Sequence, residues 1–393
     1  MEEKAAVKNR RMRTIMLIVF VAVLVVPIAS WPFVKDHVNT ENQENRSFAE
    51  FPEISLENAW NITSGIDDWF NDRIPYKNQV MDLTSSIKLA MGADSPLVSY
   101  YSDTHVIVGK DDWLFYNGTE GESTIPDYMG GNLYTEEELE EMASGYQKVA
   151  DQYREMGTQL ILFVPPNKEQ VYPEFMPDVL GEITDYSRMD QFIDYMKEHV
   201  DFPVIYAKED LLSAKNDGYQ VYFKYDSHWN YLGAFLGTQL LAEEILGTRD
   251  TLEEHTIGPY LDFEGEPVPA DRDLARMLGL GPKYTEPYNP AVTDYKTDIY
   301  EYLGYWTNEE DATYMVWQSF ADNDVTVLMY HDSFAYYMDE IMGRDYKAFV
   351  MLEQPKFVKQ FVLESKPEYC VLEIAERKKE TLDTVWQELL LHE

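Results

Sequence analysis

VTVLMYHDSF, residues 325–334, is an apolar run typical of a β-strand, followed by a polar turn that contains Ser333. The next stretch, Ala335 to Met342, is compatible with a helix. A serine between a strand and a helix has an exposed hydroxyl, and its amide lies near a helix N-terminus. The stretch therefore predicts an α/β fold with Ser333 at the edge of the sheet where such folds bind ligands.

A second polar segment, YDSHWN at residues 225–230, supplies an imidazole and a carboxylate. A serine hydroxyl needs a base within hydrogen-bond reach before it becomes a nucleophile. We expect His228 to be that base and Asp226 to orient it, because His331 is only two residues from Ser333. The bland alternative also fits the spacing: Asp226 or Ser227 would cap the helix that begins near Tyr231, and Asp332 or Ser333 would cap the helix after it.

Strand and helix patterns alternate along most of the chain. Hairpin, strand and helix patterns occur at 106–116, 135–156, 160–164, 187–198, 204–206, 209–213, 221–223, 231–246, 325–329, 335–342, 347–351, 355–364, 369–374 and 379–391, with a further helical pattern at 54–91. Residues 250–315 are instead rich in Pro, Gly and Asp. Near-continuous apolar strands between helices predict a mostly parallel sheet covered on both faces, with an irregular insertion at about 250–315.

The N-terminus predicts a membrane anchor. Residues 14–34 carry no charge, and as a helix they would span about 30 Å, which is the thickness of a bilayer core. The basic residues before them predict a cytoplasmic tail at 1–13 and an extracellular chain after the anchor. A cleaved signal peptide is the competing interpretation. We expect a polar stalk with a helical segment at 35–95 and the main domain at 96–393.

Charge and cysteine content narrow the class of protein. The net charge of −39 disfavours nucleic acid as a partner and also disfavours a polyanionic substrate unless the site is locally basic. Cys370 is the single cysteine, so the chain has no internal disulfide, which for an extracellular protein is ordinary in a bacterium.

The sequence resembles the bacterial DHHW family and, more distantly, the alginate O-acetyltransferases with an SGNH-hydrolase-like domain. The resemblance covers roughly residues 41–377 and is carried by ENR at 44–46, DRIPYK at 72–77, GKDDWLF at 109–115, VPPNK at 164–168, DSHWN at 226–230, DLARM at 273–277, HDSF at 331–334 and EIAER at 373–377. It implies an SGNH-hydrolase-like three-layer sandwich. His331 stands where a Gly-Asp-Ser motif has glycine, which is a departure from the SGNH pattern.

The resemblance implies a membrane-anchored O-acetyltransferase or esterase that acts on a cell-surface polysaccharide of a bacterium. Its catalytic triad would be Ser333, His228 and Asp226, with no bound cofactor or metal. The acetyl group would come from a membrane partner, a multi-spanning acyltransferase. The amide of Ser333 would be one oxyanion donor. Asn167 is a candidate for the second, although an Asx turn after two prolines is the favoured explanation of that residue. Asp332 and Trp229 are further candidates for oxyanion or substrate binding.

Two other classes of function remain open at this stage. Asp226, His228, His331 and Asp332 together could bind a divalent metal and form a metal-dependent hydrolase. Alternatively, exposed aromatic residues could make the chain a non-catalytic glycan-binding or scaffold protein of the polymer export and modification machinery. Tyr100, Tyr101, Tyr336 and Tyr337 are the candidate sugar-stacking residues for that role.

Overall fold

A computed structural model describes residues 2–34, 48–52, 62–80, 83–84, 87, 105–118, 124–261, 264–270, 272–280, 284–286, 288–295, 300–307, 313–354 and 359–391. The chain divides into two compact units. The smaller contains Met1–Ala90 and Ala275–Lys283, and the larger contains Met91–Leu274 and Tyr284–Glu393.

The described residues of the smaller unit include the helices α1 (Glu2–Val34) and α2 (Ile62–Asn71). Within α1, the segment Arg11–Val34 has a mean hydropathy of 2.6, so by length and composition it is suited to cross a membrane, as an N-terminal signal sequence also would be. The helix continues through Pro27 and Pro32. The helix predicted at 54–91 is described from 62 onward only in part, and much of the predicted stalk lies outside the described residues.

The larger unit begins with the predicted hairpin and continues as alternating strands and helices. Its strands are β1 (Val106–Val108), β2 (Leu114–Tyr116), β3 (Gln159–Val164), β4 (Val204–Tyr206), β5 (Ile257–Pro259), β6 (Pro290–Val292), β7 (Tyr300–Thr307), β8 (Thr313–Ser319), β9 (Thr326–His331), β10 (Ala348–Glu353) and β11 (Tyr369–Glu373). Its helices are α3 (Ile125–Met129), α4 (Glu136–Glu155), α5 (Lys168–Val171), α6 (Arg188–His199), α7 (Lys208–Asn216), α8 (Tyr231–Leu246), α9 (Asp273–Met277, which crosses into the smaller unit), α10 (Asp339–Asp345), α11 (Lys359–Ser365) and α12 (Lys379–Leu389).

The main sheet has seven strands in the order β4-β3-β11-β9-β10-β8-β7. The first five are parallel to one another, but β8 pairs antiparallel with β10, and β7 pairs antiparallel with β8. The sheet is therefore mixed: the predicted parallel arrangement is present in five strands, and β8 and β7 depart from it. Both antiparallel strands come from residues 300–319, where the predicted irregular insertion ends.

The parallel strands are covered by helices on both faces because successive residues point to opposite sides. On one face, Ile161, Phe163 and Met329 pack with α8. On the other, Leu160, Leu162 and Cys370 pack with α4, α6 and α12. This burial on both sides explains why the strands read as continuous apolar runs, and it makes Cys370 a buried core residue, as predicted.

Two local predictions differ from the structure near the edge of the sheet. Residues 221–223 form only an isolated bridge, between Tyr222 and Trp229, rather than a strand. The helix predicted from Ala335 begins instead as a 3₁₀ turn at Ser333–Tyr337, and α10 follows it. The 3₁₀ turn puts Ser333 at its first position, directly after the end of β9.

Candidate active site

The loop before α8 holds Asp226 and His228 as a hydrogen-bonded pair. Asp226 Oδ1 accepts hydrogen bonds from His228 Nδ1 at 2.6 Å and from the His228 amide at 3.1 Å. Neither Asp226 nor Ser227 caps α8, because the Asn230 side chain accepts from the amides of Leu232 and Gly233 at the start of that helix. The loop therefore leaves its carboxylate and imidazole available for other contacts.

Ser333 completes a chain of three side chains with that pair. Its Oγ lies 2.7 Å from His228 Nε2, across 105 residues of sequence. Asp332 rather than Ser333 caps the turn that follows, since Asp332 Oδ1 accepts from the Phe334 amide at 2.9 Å. His331 is completely buried, and its Nδ1 is bonded to the Asp332 carbonyl, which leaves His228 as the imidazole that faces the serine.

The charge on Asp226 fixes which ring nitrogen of His228 carries the proton. Burial disfavours the charged carboxylate, but the hydrogen bond and charge of His228, with the amides of Asp273 and His228, hold the pKa of Asp226 well below its usual range. An ionised Asp226 accepts a hydrogen bond from Nδ1–H of His228, so Nε2 presents its lone pair to the Ser333 hydroxyl. This is the arrangement in which an imidazole can act as a general base.

A cation lies beside the reacting atoms. Arg377 Nη2 is 3.3 Å from His228 Nε2, and the guanidinium stacks 4.9 Å from the ring centres of both Tyr116 and Phe334. The site therefore has a local positive charge although the chain carries a large net negative charge. A partly buried cation stabilises negative charge that develops near the serine.

Asn167 follows the end of β3 and has an unpaired side-chain donor. Its backbone N–H donates to Glu376 Oε2 at 2.7 Å, whereas its buried side-chain Nδ2 has no hydrogen-bond partner among the described residues. Its side chain does not cap α5. A buried N–H₂ group without a protein partner is free to bind an oxygen of a ligand.

Family comparison places the chain. The family described as "SGNH hydrolase-like domain, acetyltransferase AlgX" matches residues 106–312, a little over half of the sequence. The chain belongs to this family. The matched region includes Asn167, Asp226 and His228 and ends before Ser333, so the family match does not cover the serine.

Individual relatives are distant. The chain is 28% identical over 184 residues to "Probable alginate O-acetylase AlgJ" of Pseudomonas putida, an alignment of 46% of this chain and 43% of that protein. It is 23% identical over 292 residues to the protein of the same name from Pseudomonas syringae pv. tomato, covering 70% of this chain and 63% of the relative. It thus spans about half the length of these curated relatives. A solved DHHW family protein from Eubacterium siraeum superposes with a TM-score of 0.48 and 12% identity, over 73% of this chain and all of that one.

Lys168 binds the backbone of the loop that carries Asp226 and His228. Sequence reasoning missed it because lysines are usually surface residues. It is 2% exposed, and its ammonium donates to the carbonyls of Leu114, Lys224 and Asp226 at 2.6, 3.0 and 2.9 Å. Burial lowers the pKa of Lys168 to about 8, against the attraction of Glu286 and Asp226. Its position in the VPPNK segment of the family resemblance was the one available signal.

Two glutamates, the last residue of β11 and a residue just after it, bind the turns that follow the neighbouring strands β9 and β3. Glu373 Oε2 accepts from the Asp332 amide at 2.7 Å, and Asp332 Oδ2 in turn accepts from the Ala375 amide at 2.9 Å. Glu376 accepts from the Asn167 amide. Burial raises the pKa of Glu376 to about 8 and raises that of Glu373 well above its usual range.

Trp229 and Asp332 contribute to the site through other residues. Trp229 is completely buried, and its Nε1 donates to the Phe334 carbonyl at 2.9 Å. Both carboxylate oxygens of Asp332 are occupied by backbone amides. These contacts favour a positioning role for both residues over the predicted direct contact with substrate.

The predicted metal ligands are not brought together as a set. Among the described residues, the compact group of candidate ligands near the serine is Asp226, His228 and Asp273, whose ligand atoms lie within 4.8 Å of one another. His331 is bonded to the backbone in the core instead. In this group, Asp226 Oδ1 and His228 Nδ1 are bonded to each other, so a metal would have to displace that hydrogen bond.

Two of the predicted aromatic residues lie near the site. Tyr337 has its ring centre 5.8 Å from that of His228, and Tyr336 is 39% exposed with its ring 5.3 Å from His331. Tyr100 and Tyr101 lie outside the described residues. Of the four predicted residues, Tyr337 is therefore the one whose ring lies beside the base.

Proposed function

We propose that the chain is an O-acetyltransferase in which Ser333 accepts an acetyl group and passes it to a hydroxyl of a cell-surface polysaccharide. The observation that carries this proposal is the continuous hydrogen-bonded chain from Asp226 through His228 to Ser333, with heavy-atom distances of 2.6 and 2.7 Å. Membership of the family supports the acetyl group as the cargo.

In the first half-reaction, His228 Nε2 takes the proton of Ser333 Oγ as the oxygen attacks the carbonyl carbon of an acetyl ester. The new C–O bond gives a tetrahedral oxyanion. The amide of Ser333, Arg377 and the unpaired Nδ2 of Asn167 are the donors proposed to stabilise it. Collapse of the oxyanion breaks the bond to the leaving alkoxide, which receives the proton from His228, and Ser333 is left acetylated.

In the second half-reaction, His228 deprotonates a sugar hydroxyl, which attacks the acetyl carbon. The proton then returns to Ser333 Oγ as the acyl bond breaks, and the acetylated sugar leaves. Asp226 stays ionised throughout and stabilises the imidazolium. Water at the acceptor position would give ester hydrolysis instead, because the same groups serve both reactions.

The proposed location rests on the N-terminal helix. We propose that α1 anchors the chain in a bacterial cell membrane with the larger unit outside. Acetyl groups on the outer face of a membrane must be carried across it, so a multi-spanning membrane acyltransferase is the proposed donor. A cleaved N-terminus would release the same enzyme without that anchor.

The test is labelling of the purified full chain, in detergent, with a fluorophosphonate probe and location of the adduct by mass spectrometry. We expect the adduct on Ser333, with none in Ser333→Ala and at least about a hundredfold slower labelling in His228→Ala. Burst release of nitrophenol from nitrophenyl acetate, followed by transfer of acetyl to added oligosaccharides, would separate transfer from hydrolysis. Glycan binding that survives Ser333→Ala, with no adduct in the wild-type chain, would favour the non-catalytic binding role.

A further inference from the structure

Asp273 is a second aspartate bound to the loop that carries the base. Its amide donates to Asp226 Oδ2 at 2.6 Å. In return, Asp273 Oδ1 accepts from the Ser227 amide at 2.7 Å, and Asp273 Oδ2 accepts from the Ser227 hydroxyl at 2.6 Å. Each aspartate therefore fixes the segment that carries the other, although 47 residues separate them in sequence.

The same contacts reach the imidazole. Asp273 Oδ2 is 3.8 Å from His228 Nδ1, and Ser227 Oγ is 3.3 Å from that nitrogen. Since the Ser227 hydroxyl donates a hydrogen bond to Asp273 Oδ2, the lone pairs of Ser227 Oγ can face the Nδ1–H of His228. An imidazolium formed during the reaction would then lie beside two carboxylates and a hydroxyl oxygen rather than beside Asp226 alone.

We infer that Asp273 is a positioning residue for the base: it holds the Asp226 carboxylate in the orientation that binds His228 and, through Ser227, adds a second acceptor and a second negative charge on the Nδ1 side. This inference rests on the proposed function. It assigns a role to the DLARM segment, for which neither the strand–turn–helix pattern nor the triad gives a reason. Asp273 is 8% exposed, so its carboxylate faces the loop rather than solvent.

The charge on Asp273 changes in the pH range in which an imidazole base works. Burial and the nearby charge of Asp226 raise the pKa of Asp273 to about 6, against His228, Ser227 and Arg377, which lower it. The buried ammonium of Lys168 also faces this carboxylate. Loss of the negative charge of Asp273 at acid pH would therefore weaken the stabilisation of the imidazolium.

The experiment measures the rate of Ser333 labelling in the full chain over about pH 5 to 9, the range in which histidine titrates. Asp273→Asn keeps the size of the side chain and removes the charge. We expect its maximal rate to fall roughly tenfold to a hundredfold, because the asparagine can place an N–H₂ donor where Asp273 Oδ2 accepts from the Ser227 hydroxyl, and this shifts the segment that carries the base. The acidic limb of the profile should move to lower pH because a negative charge beside the imidazole is gone. Asp273→Glu keeps the charge but not the geometry, so its rate should fall while its acidic limb stays in place.

Ser227→Ala keeps the amide contact to Asp273 and removes only the bridging hydroxyl, so it gives a second variant if Asp273→Asn fails to fold. We expect a smaller loss of rate, with the melting temperature near that of the wild type. Asp151→Asn, at an exposed ion pair with Arg154 on α4, is the matched control and should label like the wild type.

One outcome would overturn the inference while leaving the proposed function intact: a wild-type labelling rate and pH profile in both Asp273→Asn and Ser227→Ala, while Ser333→Ala and His228→Ala are inactive. Loss of wild-type labelling on chelation, with recovery on adding Zn²⁺, would count against the inference and the proposed function together, because a metal held by Asp226, His228 and Asp273 would displace the hydrogen bond between Asp226 and His228. Absence of any adduct on Ser333 in the wild type would instead refute the proposed function itself.

Discussion

Trp229→Phe tests whether one buried side chain couples the base to the nucleophile. Trp229 follows His228 in sequence, and its indole N–H donates to the carbonyl of Phe334, which follows Ser333. Its ring also packs edge-to-face on Phe334, with the ring centres 5.4 Å apart. Phenylalanine retains most of this packing but has no N–H to donate.

The expected loss of stability is modest. The lost N–H···O bond costs about 1 kcal/mol net, and the space left by the smaller ring costs about 1–2 kcal/mol. A total of about 2–3 kcal/mol is below the usual stability of a domain, so the variant should fold and melt several degrees lower. The loss of rate should be larger in proportion, because a displacement of about 1 Å in a reacting group can cost a hundredfold. We expect Ser333 labelling to slow about tenfold to a hundredfold.

The assay is the labelling rate of Ser333 per folded molecule, with the folded fraction measured by circular dichroism at the same temperature. Trp317→Phe is the matched control, since Trp317 is a 3% exposed tryptophan in β8 that packs on Tyr302 and Phe349. It should lower stability without slowing the folded enzyme. Wild-type labelling by folded Trp229→Phe, or equal slowing in both variants, would refute the coupling through the indole.

Three further predictions concern residues around the same site. Asp332→Asn should slow labelling about tenfold, because one of its two contacts, to the amides of Phe334 and Ala375, loses its acceptor. Gly237→Ala should destabilise by about 1–2 kcal/mol, although alanine normally favours a helix, because the new Cβ would lie 2.8 Å from the Trp229 ring. Glu376→Gln should make the free energy of unfolding less dependent on pH. Because the pKa of Glu376 is raised to about 8 in the folded chain, the stability that its neutral form contributes is fully present below about pH 4.3, the pKa in the unfolded chain, and is lost as pH rises through about 8.

Each of these predictions has a direct check. For Asp332→Asn, the comparison is Thr135→Ala, which removes the capping box of the remote helix α4 and should lower stability by about 1 kcal/mol without slowing labelling. Gly237→Ala is checked by urea unfolding, and a gain in stability would contradict the close contact. For Glu376→Gln, urea unfolding is measured at acid and at mildly alkaline pH. The free energy of unfolding of the variant should increase relative to that of the wild type as pH rises, and a difference that does not change with pH would contradict the buried neutral carboxyl.

The elements that position the site could be predicted where the signal is local. The apolar runs of β3, β9 and β11 are buried on both faces, so continuous hydrophobicity located them to within a residue or two. Thr135 begins its helix in the way that short side-chain acceptors do, whereas the helix near Tyr231 is capped by Asn230 and not by Asp226 or Ser227. The spacing of Asp226 and His228 also placed an acid and an imidazole on one loop, and that loop does reach Ser333.

Contacts between distant loops carried no such signal. Asp273 reaches the base loop from a Pro- and Gly-rich region with no periodicity, and Lys168 is buried only because three carbonyls happen to converge on its ammonium. The pairing of β7 with β8 was also not predicted. The region 250–315 was judged by its overall content of Pro, Gly and Asp, so the two aromatic, strand-forming segments near its end were not recognised. Arg377 belongs to the EIAER segment of the resemblance, but its place beside the base depends on the position of His228, which the sequence does not give.

The short segment that leaves β11 has a consequence for enzyme engineering. In the sheet, β11 lies between β3 and β9, and its two glutamates tie the turn of Asn167 on one side and the turn of Ser333 on the other. A substitution in this segment would shift both turns together, so it would disturb the reaction whatever the acceptor. Libraries that aim to change the acceptor sugar should therefore leave residues 373–377 constant and vary exposed positions such as Tyr336.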